Sequence, residues 1–292
     1  MKTLSSHPEF ERYYRRMRRI QQRESTIWSL AILGLYLGST HFSEFHLTTL
    51  WHALPHLFDY LFKTLPVLHL ADLFADVHTK GSLAYWGYRL HIQLPLIWET
   101  LNLAFAATII SAMLAILLAF LAANNGPAPK PLRQAIRTVS AFLRTMPELA
   151  WAVMFVMAFG VGAIPGFLAL ALHTIGSLTK LFYEAIESAS PRPVSGLLAC
   201  GAGPVQAVRF GLWPQVKPTL LSYSFMRLEI NFRQSTILGL VGAGGIGQEL
   251  MTNIQLSRYD QVSITLILII LVVSLLDSLS SRIRRRVLEP TS

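Results

Sequence analysis

Residues 237–247 read ILGLVGAGGIG, and the reading of those glycines decides the fold. Gly242, Gly244 and Gly247 spell G-x-G-x-x-G after an aliphatic run and before QELMTNI (248–254), the outline of a turn that cradles a dinucleotide. Such a turn works only inside a βαβ unit, with further parallel strands and helices on both faces of the sheet. Upstream of these glycines the chain reads as apolar helices rather than strands, and downstream it offers one more apolar run and a basic tail. Asp260 also stands too close to serve as the usual ribose-binding carboxylate. The glycines are therefore assigned to backbone geometry, where positive φ and close chain approach are needed.

Composition supplies the solvent. Hydrophobic residues make up 52% of the 292 and charged residues 14%, whereas soluble domains carry about 25% charged residues. So little charge cannot cover a water-facing surface, and a bilayer is the matching environment. A spanning helix needs about 20 mostly apolar residues. Six segments qualify: Thr26–Phe42, Ile97–Ala123, Leu149–Val161 extended backward through the MPE turn, Gly166–Tyr183, Pro218–Leu238 and Val262–Leu279. The expected fold is an all-α transmembrane bundle of about six spans.

Charge orients it. The basic run RYYRRMRRI (12–20) precedes the first apolar segment, and RIRRRV (282–287) follows the last. Segments 1–25, 124–144, 187–214 and 280–292 hold most of the Lys and Arg, whereas the opposite side contributes only Lys63, Lys80, Arg89 and Arg258. The positive-inside rule places both termini in the cytoplasm. The basic ends are read as membrane anchors, so no nucleic-acid partner is expected. No cleavable signal peptide is expected, because the basic region is long and no small-residue site ends the apolar stretch.

Two connecting stretches stand out. In 43–92, Leu50, Leu54, Leu57, Phe58, Leu61 and Leu65 recur at helical spacing, which fits an amphipathic helix on the membrane surface. Most of the nine histidines fall between His41 and His91; without HExxH or further cysteines beside Cys200, they are read as interfacial and no metal is assigned. In 187–214, prolines bracket VSGLLACGA, enough for one short helix on the inside, where a partner protein can dock. No G-x-x-x-x-G-K-[ST] motif is present, so uphill transport must draw its energy from a partner. Nor is there a nucleophile–base pair or HExxH, and the chain is not read as an enzyme.

The span before the glycines is charged: SFMRLEINFRQST (224–236). Ionisable groups within a span face a cavity or each other. Glu229 and Arg233 pair at i,i+4, whereas Arg227, Asn231 and Gln234 lie on nearly the opposite face. A helix polar on two sides belongs at the centre of the bundle. Arg227 has no partner on its own helix, and a guanidinium fork beside Asn and Gln suits an oxyanion.

These stretches carry a resemblance. Residues 143–187 (LRTMPELAWAVMFVMAFGVGAIPGFLALALHTIGSLTKLFYEAIE) and 222–247 (SYSFMRLEINFRQSTILGLVGAGGIG) resemble the permease subunit of phosphonate-type ABC importers, a group that also handles phosphite and related oxyanions. The resemblance covers about residues 93–288 and leaves 1–92 as a basic N-terminus, an anchor helix and a periplasmic linker. It implies the type I importer permease fold in the bacterial inner membrane, a homodimer, two ATPase subunits that bind ATP and Mg²⁺, and a periplasmic binding protein. It also implies an ATPase-docking loop of the form EAA, three residues, Gly, nine residues, I-x-L-P. Gly201 and Pro214 stand at that spacing, with Gly196 and Leu197 in the small-residue positions. Ser195 stands in place of the family Glu, and Gly211 and Trp213 replace the aliphatics. The expected coupling set is Ser195, Gly196, Gly201, Ala202 and Pro214; Arg227, Glu229, Asn231, Arg233 and Gln234 line the pathway; Gly242, Gly244, Gly245 and Gly247 form an outer gate. The alternative is an ion- or proton-coupled carrier of small anions, with His173 and Glu229 relaying protons.

Overall fold

The computed structural model describes residues 8–42, 47–65, 72, 74–79 and 81–288. The chain divides into two compact units, Met1–Lys63 and Thr64–Ser292. No strand occurs among the described residues.

The first unit holds α1 (Pro8–Phe42) and α2 (Leu47–Thr64). In α1 the basic run passes directly into the apolar run without a break. Trp28, Leu30, Ile32 and Leu35 are all exposed, as lipid-facing side chains are. Along α2 nearly all described side chains are exposed, Leu50, Leu57, Phe58 and Leu61 at helical spacing among them. His46 and His69 of the histidine-rich stretch lie outside the described residues.

The second unit opens with α3 (Leu83–Trp86) and the long α4 (Leu90–Ala122). The buried stripe of α4 is small: Ala104, Ala107, Ser111, Ala115, Ala119 and Ala122 recur every three or four residues. Small residues let helix backbones approach closely where lipid offers no hydrophobic drive. The partner is α7 (Ala163–Ser188), and Ser111 Oγ donates to the Ala171 carbonyl at 3.0 Å. Two apolar cores result. One joins Ala115, Ala119, Leu178, Phe182, Ile186 and Leu220; the other joins Ala107, Trp151, Ala169, Leu170 and Leu238.

Between α4 and α7 lie α5 (Lys130–Thr145) and α6 (Glu148–Phe159), bent by 85°. The third span is thus not one rod extended backward, as the sequence reading has it. Pro147 lacks the N–H that would continue the helix and holds Met146 extended at φ −67°, ψ 126°.

Beyond α7 come α8 (Arg192–Ala199), α9 (Pro204–Ala207) and a π turn at Val208–Leu212. They lead into α10 (Trp213–Gly239), α11 (Gly245–Gln255) and α12 (Tyr259–Leu288). Among the described residues, α4, α7 and α12 are long and apolar enough to cross a membrane, and the bent α5–α6 pair makes a fourth only if its two arms are taken together as one broken span. α1 and α10 have the length but not the apolarity, because of the Ser, Thr, His and Gly of α1 and the charges of α10. α10 packs against α4, α7, α11 and α12, the central place expected of a doubly polar helix. A polar ladder ties α12 to the α3–α4 region: Trp86 Nε1 donates to Ser263 Oγ at 2.8 Å and Gln93 Nε2 to Thr265 Oγ1 at 2.9 Å.

Candidate functional site

Arg227, in the middle of α10, has a side chain only 9% exposed. Its partners come from other helices, which is why its own sequence neighbourhood shows none. Its Nη2 donates to Ser177 Oγ of α7 at 3.0 Å and lies 4.0 Å from Glu148 Oε1 at the start of α6. Arg227 Nε is buried without an acceptor. Glu148 in turn meets His173 of α7, with Nε2 3.1 Å from Oε1, while His173 Nδ1 faces the Met146 carbonyl at 3.1 Å. Both ring nitrogens thus face oxygen, and the ring lies against the α5–α6 break; a neutral imidazole donates to one of the two.

One turn further along α10, Asn231 Nδ2 donates to Thr108 Oγ1 of α4 at 2.9 Å, and its Oδ1 accepts from Thr174 of α7 at 3.0 Å. Asn231 is buried and pins three helices together, so its visible contacts are structural. Glu229 and Arg233 pair at 2.9 Å as the spacing predicts, with Arg233 54% exposed and Glu229 15%. Gln234 is half-buried. Of the five residues expected to line the pathway, the structure therefore places Arg227 and Asn231 inward, Glu229 and Arg233 as a more open pair, and Gln234 between these extremes. His173 does not meet Glu229 as a proton relay requires; each has another partner. Glu148 and Ser177 escaped the sequence reading. The signal available for Glu148 was its place in the MPE turn.

At the far end of α10 the glycines turn the chain into α11. Gly242, Gly244 and Gly245 all have positive φ. Gly247 is required by contact, since a Cβ there would collide with the Thr236 carbonyl. Thr100 Oγ1 of α4 accepts from the Ile246 N–H at 3.0 Å and caps α11. A cleft of about 300 Å³ lies beside the turn, lined by Glu99, Ala163, Gly244, Gly245, Gln248 and Glu249. Glu249 is held by Arg89 at 3.0 Å and by Asn253 at 3.0 Å.

In the 187–214 loop, Ser195 and Gly196 are exposed on α8, and a Cβ on Gly196 would meet nothing within 4 Å. Gly201, at φ +85°, ends the helix in a Schellman motif: its N–H reaches the Leu198 carbonyl at 3.0 Å, and the Ala202 N–H reaches Leu197 at 3.0 Å. Pro214 is the second residue of α10, which continues directly from the π turn. Gln215 of α10 clamps Ser190 at the exit of α7, and a Cβ on Gly211 would press on Val194 at 3.1 Å, so α8 packs tightly on the π turn that leads into α10. The end of α7 is fixed too. Glu187 binds Arg137 of α5 and the Asn124 N–H, and Arg137 lies 4.5 Å over the Tyr183 ring. Exposed Val205, Phe210 and Leu198 give the loop an apolar surface. Beside it opens a cavity of about 820 Å³ lined by Phe120, Pro127, Pro204, Val205, Arg209 and Trp213. No group of three His, Cys, Asp or Glu among the described residues is placed to hold a metal ion.

Residues 115–289, from the stripe of α4 to the end of the chain's last helix, match the family of binding-protein-dependent transport system inner membrane components. The chain belongs to this family. It is the permease of an ABC importer, a membrane component of a binding-protein-dependent system. Over 200 residues the permease is 42% identical to the phosphite transport system permease protein PtxC of Stutzerimonas stutzeri, covering 68% of this chain and 72% of that one. It is 40% identical over 194 residues to the phosphate-import permease protein PhnE of Mycolicibacterium smegmatis, covering 66% of this chain and 36% of the longer relative. Among solved structures, an inward-facing form of the MetNI methionine ABC transporter matches with a TM-score of 0.59 at 21% identity, over 68% of this chain and 98% of that one. That likeness establishes the fold of the permease.

Proposed function

We propose that this permease carries phosphonate or a related phosphorus oxyanion, phosphite or hypophosphite, inward across the bacterial inner membrane. It works as a homodimer with two ATPase subunits, which bind ATP and Mg²⁺, and with a periplasmic binding protein. The chain itself performs no catalysis. Both termini lie in the cytoplasm, as the loop charge directs.

One observation carries the substrate class: Arg227, nine-tenths buried in the central helix, makes a single close hydrogen bond and leaves Nε unfilled. A buried cation with open donors suits a planar, bidentate match to a phosphorus oxyanion. Relatives named for phosphite and phosphate transport support the same class. The route from ATP to substrate runs through α8. Closure of the ATPases moves the segment from Ser195 to Ala202, whose helix packs through Val194 against Gly211 in the π turn just ahead of α10, and so shifts the charged span. Gly242, Gly244, Gly245 and Gly247 gate the outer end, and Arg233 with Glu229 lines the more open side.

Reconstitution tests this. Proteoliposomes containing the permease, its ATPase and its binding protein should accumulate phosphite, methylphosphonate or hypophosphite only with ATP inside. Uptake by the permease alone would overturn the reading in favour of a carrier. Mass measurement of the purified assembly distinguishes two copies of this chain from a pair of different permeases.

A further inference from the structure

Arg227 is charged, buried and under-bonded, and its counter-ion is committed elsewhere. A guanidinium offers five N–H donors. Here Ser177 fills one at 3.0 Å, Nε has no acceptor, and Glu148 Oε1 stands at 4.0 Å, within ion-pair range but beyond hydrogen-bond length. The same Glu148 oxygen lies 3.1 Å from His173 Nε2. The carboxylate therefore balances the charge of Arg227 while its hydrogen bond goes to His173. This leaves a cation that is tolerated when the pathway is empty and whose buried Nε still lacks an acceptor. A carboxylate bonded directly to Arg227 would have closed the site; none at all would have left an uncompensated buried charge.

We propose that Arg227 is the oxyanion contact of the pathway and that Glu148 is its resident counter-ion, which His173 retains when substrate arrives. The incoming tetrahedral phosphorus oxyanion takes the free donors of Arg227. Glu148 then shares the site as a like charge and weakens the anion's hold, so the permease releases what it has admitted. Glu148 is the first residue of α6, and His173 also faces the Met146 carbonyl, so this competition is seated at the 85° break between α5 and α6. The proposal rests on the reading of this chain as a phosphorus-oxyanion permease and adds to it a residue, Glu148, that sets affinity by repulsion.

The test uses the permease–ATPase complex, titrated calorimetrically with inorganic phosphite and with methylphosphonate in the absence of binding protein. Glu148→Gln should bind either anion at least about tenfold more tightly than wild type, and binding-protein-dependent uptake in proteoliposomes should slow as release becomes limiting. The gain should vanish in Arg227→Ala/Glu148→Gln. Glu148→Asp keeps the charge but withdraws it by one methylene, and should shift affinity in the same direction by less; it serves if the Gln variant does not assemble. Unchanged affinity in Glu148→Gln, or a gain that survives removal of Arg227, overturns the proposal. Wild-type proteoliposomes that accumulate no phosphorus oxyanion would instead overturn the assigned substrate class, and the same titrations with sulfate would still judge the counter-ion arrangement.

Discussion

Gln215 holds both backbone polar groups of Ser190: its Oε1 accepts from the Ser190 N–H at 3.0 Å, and its Nε2 donates to the Ser190 carbonyl at 3.2 Å and to the Gly211 carbonyl at 2.6 Å. One side chain thus joins the exit of α7, the π turn and the first turn of α10. Gln215→Ala should cost only about 1–2 kcal/mol of stability, since the bonds are partly exposed. ATP-dependent uptake should nevertheless fall several-fold while ATPase binding persists. Comparing uptake with co-purification of the ATPase checks this; equal loss of both would mean that the clamp serves assembly alone.

Gly201 separates backbone strain from crowding. Its φ is +85°, yet a Cβ would meet nothing within 4 Å. Gly201→Asn, which tolerates the left-handed region, should retain most transport, whereas Gly201→Val should abolish it with the protein still inserted. Membrane fractionation with uptake measures both, and a fully active Val variant would remove α8 from the coupling route.

At Gly247 the constraint is contact. A methyl group there would meet the Thr236 carbonyl, and the neighbouring Gly239 faces the Gln248 N–H at 2.7 Å from an ideal Cβ. Gly247→Ala should destabilise the detergent-solubilised protein by about 1–3 kcal/mol, the usual cost of overpacking. A thermal melt reads this directly.

The two arginines of α10 should behave differently. Arg227→Ala should lower uptake of phosphorus oxyanions at least about tenfold. Arg233→Ala removes a half-exposed i,i+4 pair worth about 0.3–0.5 kcal/mol and should leave folding intact, with a smaller effect on uptake. Initial rates at several substrate concentrations, normalised to assembled complex, decide between them.

How much of this was legible depended on range. The helices of α4, α7 and α12 declare themselves because lipid imposes a long apolar run on the chain. The Glu229–Arg233 pair and the Gly201 cap are local, and spacing alone locates them. Arg227 was recognisable as an ionisable group out of place in a span, but not its surroundings: Glu148 and Ser177 are brought to it from distant parts of the sequence by the packing of α6 and α7 against α10. The angle between α5 and α6 was hidden for a different reason. Pro147 marks a break in a helical pattern without stating how far the chain turns there.

α10 runs unbroken from Trp213 to Gly239, with the Ser190 clamp at one end and the glycine turn at the other. Its 27 residues span about 40 Å at a rise of about 1.5 Å each. With Arg227 near the midpoint, a tilt of about 10° would carry each tip roughly 3–4 Å in opposite directions. A rod pivoting at its own charged centre would open one mouth as it shut the other, and two-sided leakage would then be avoided by leverage rather than by two separately timed doors.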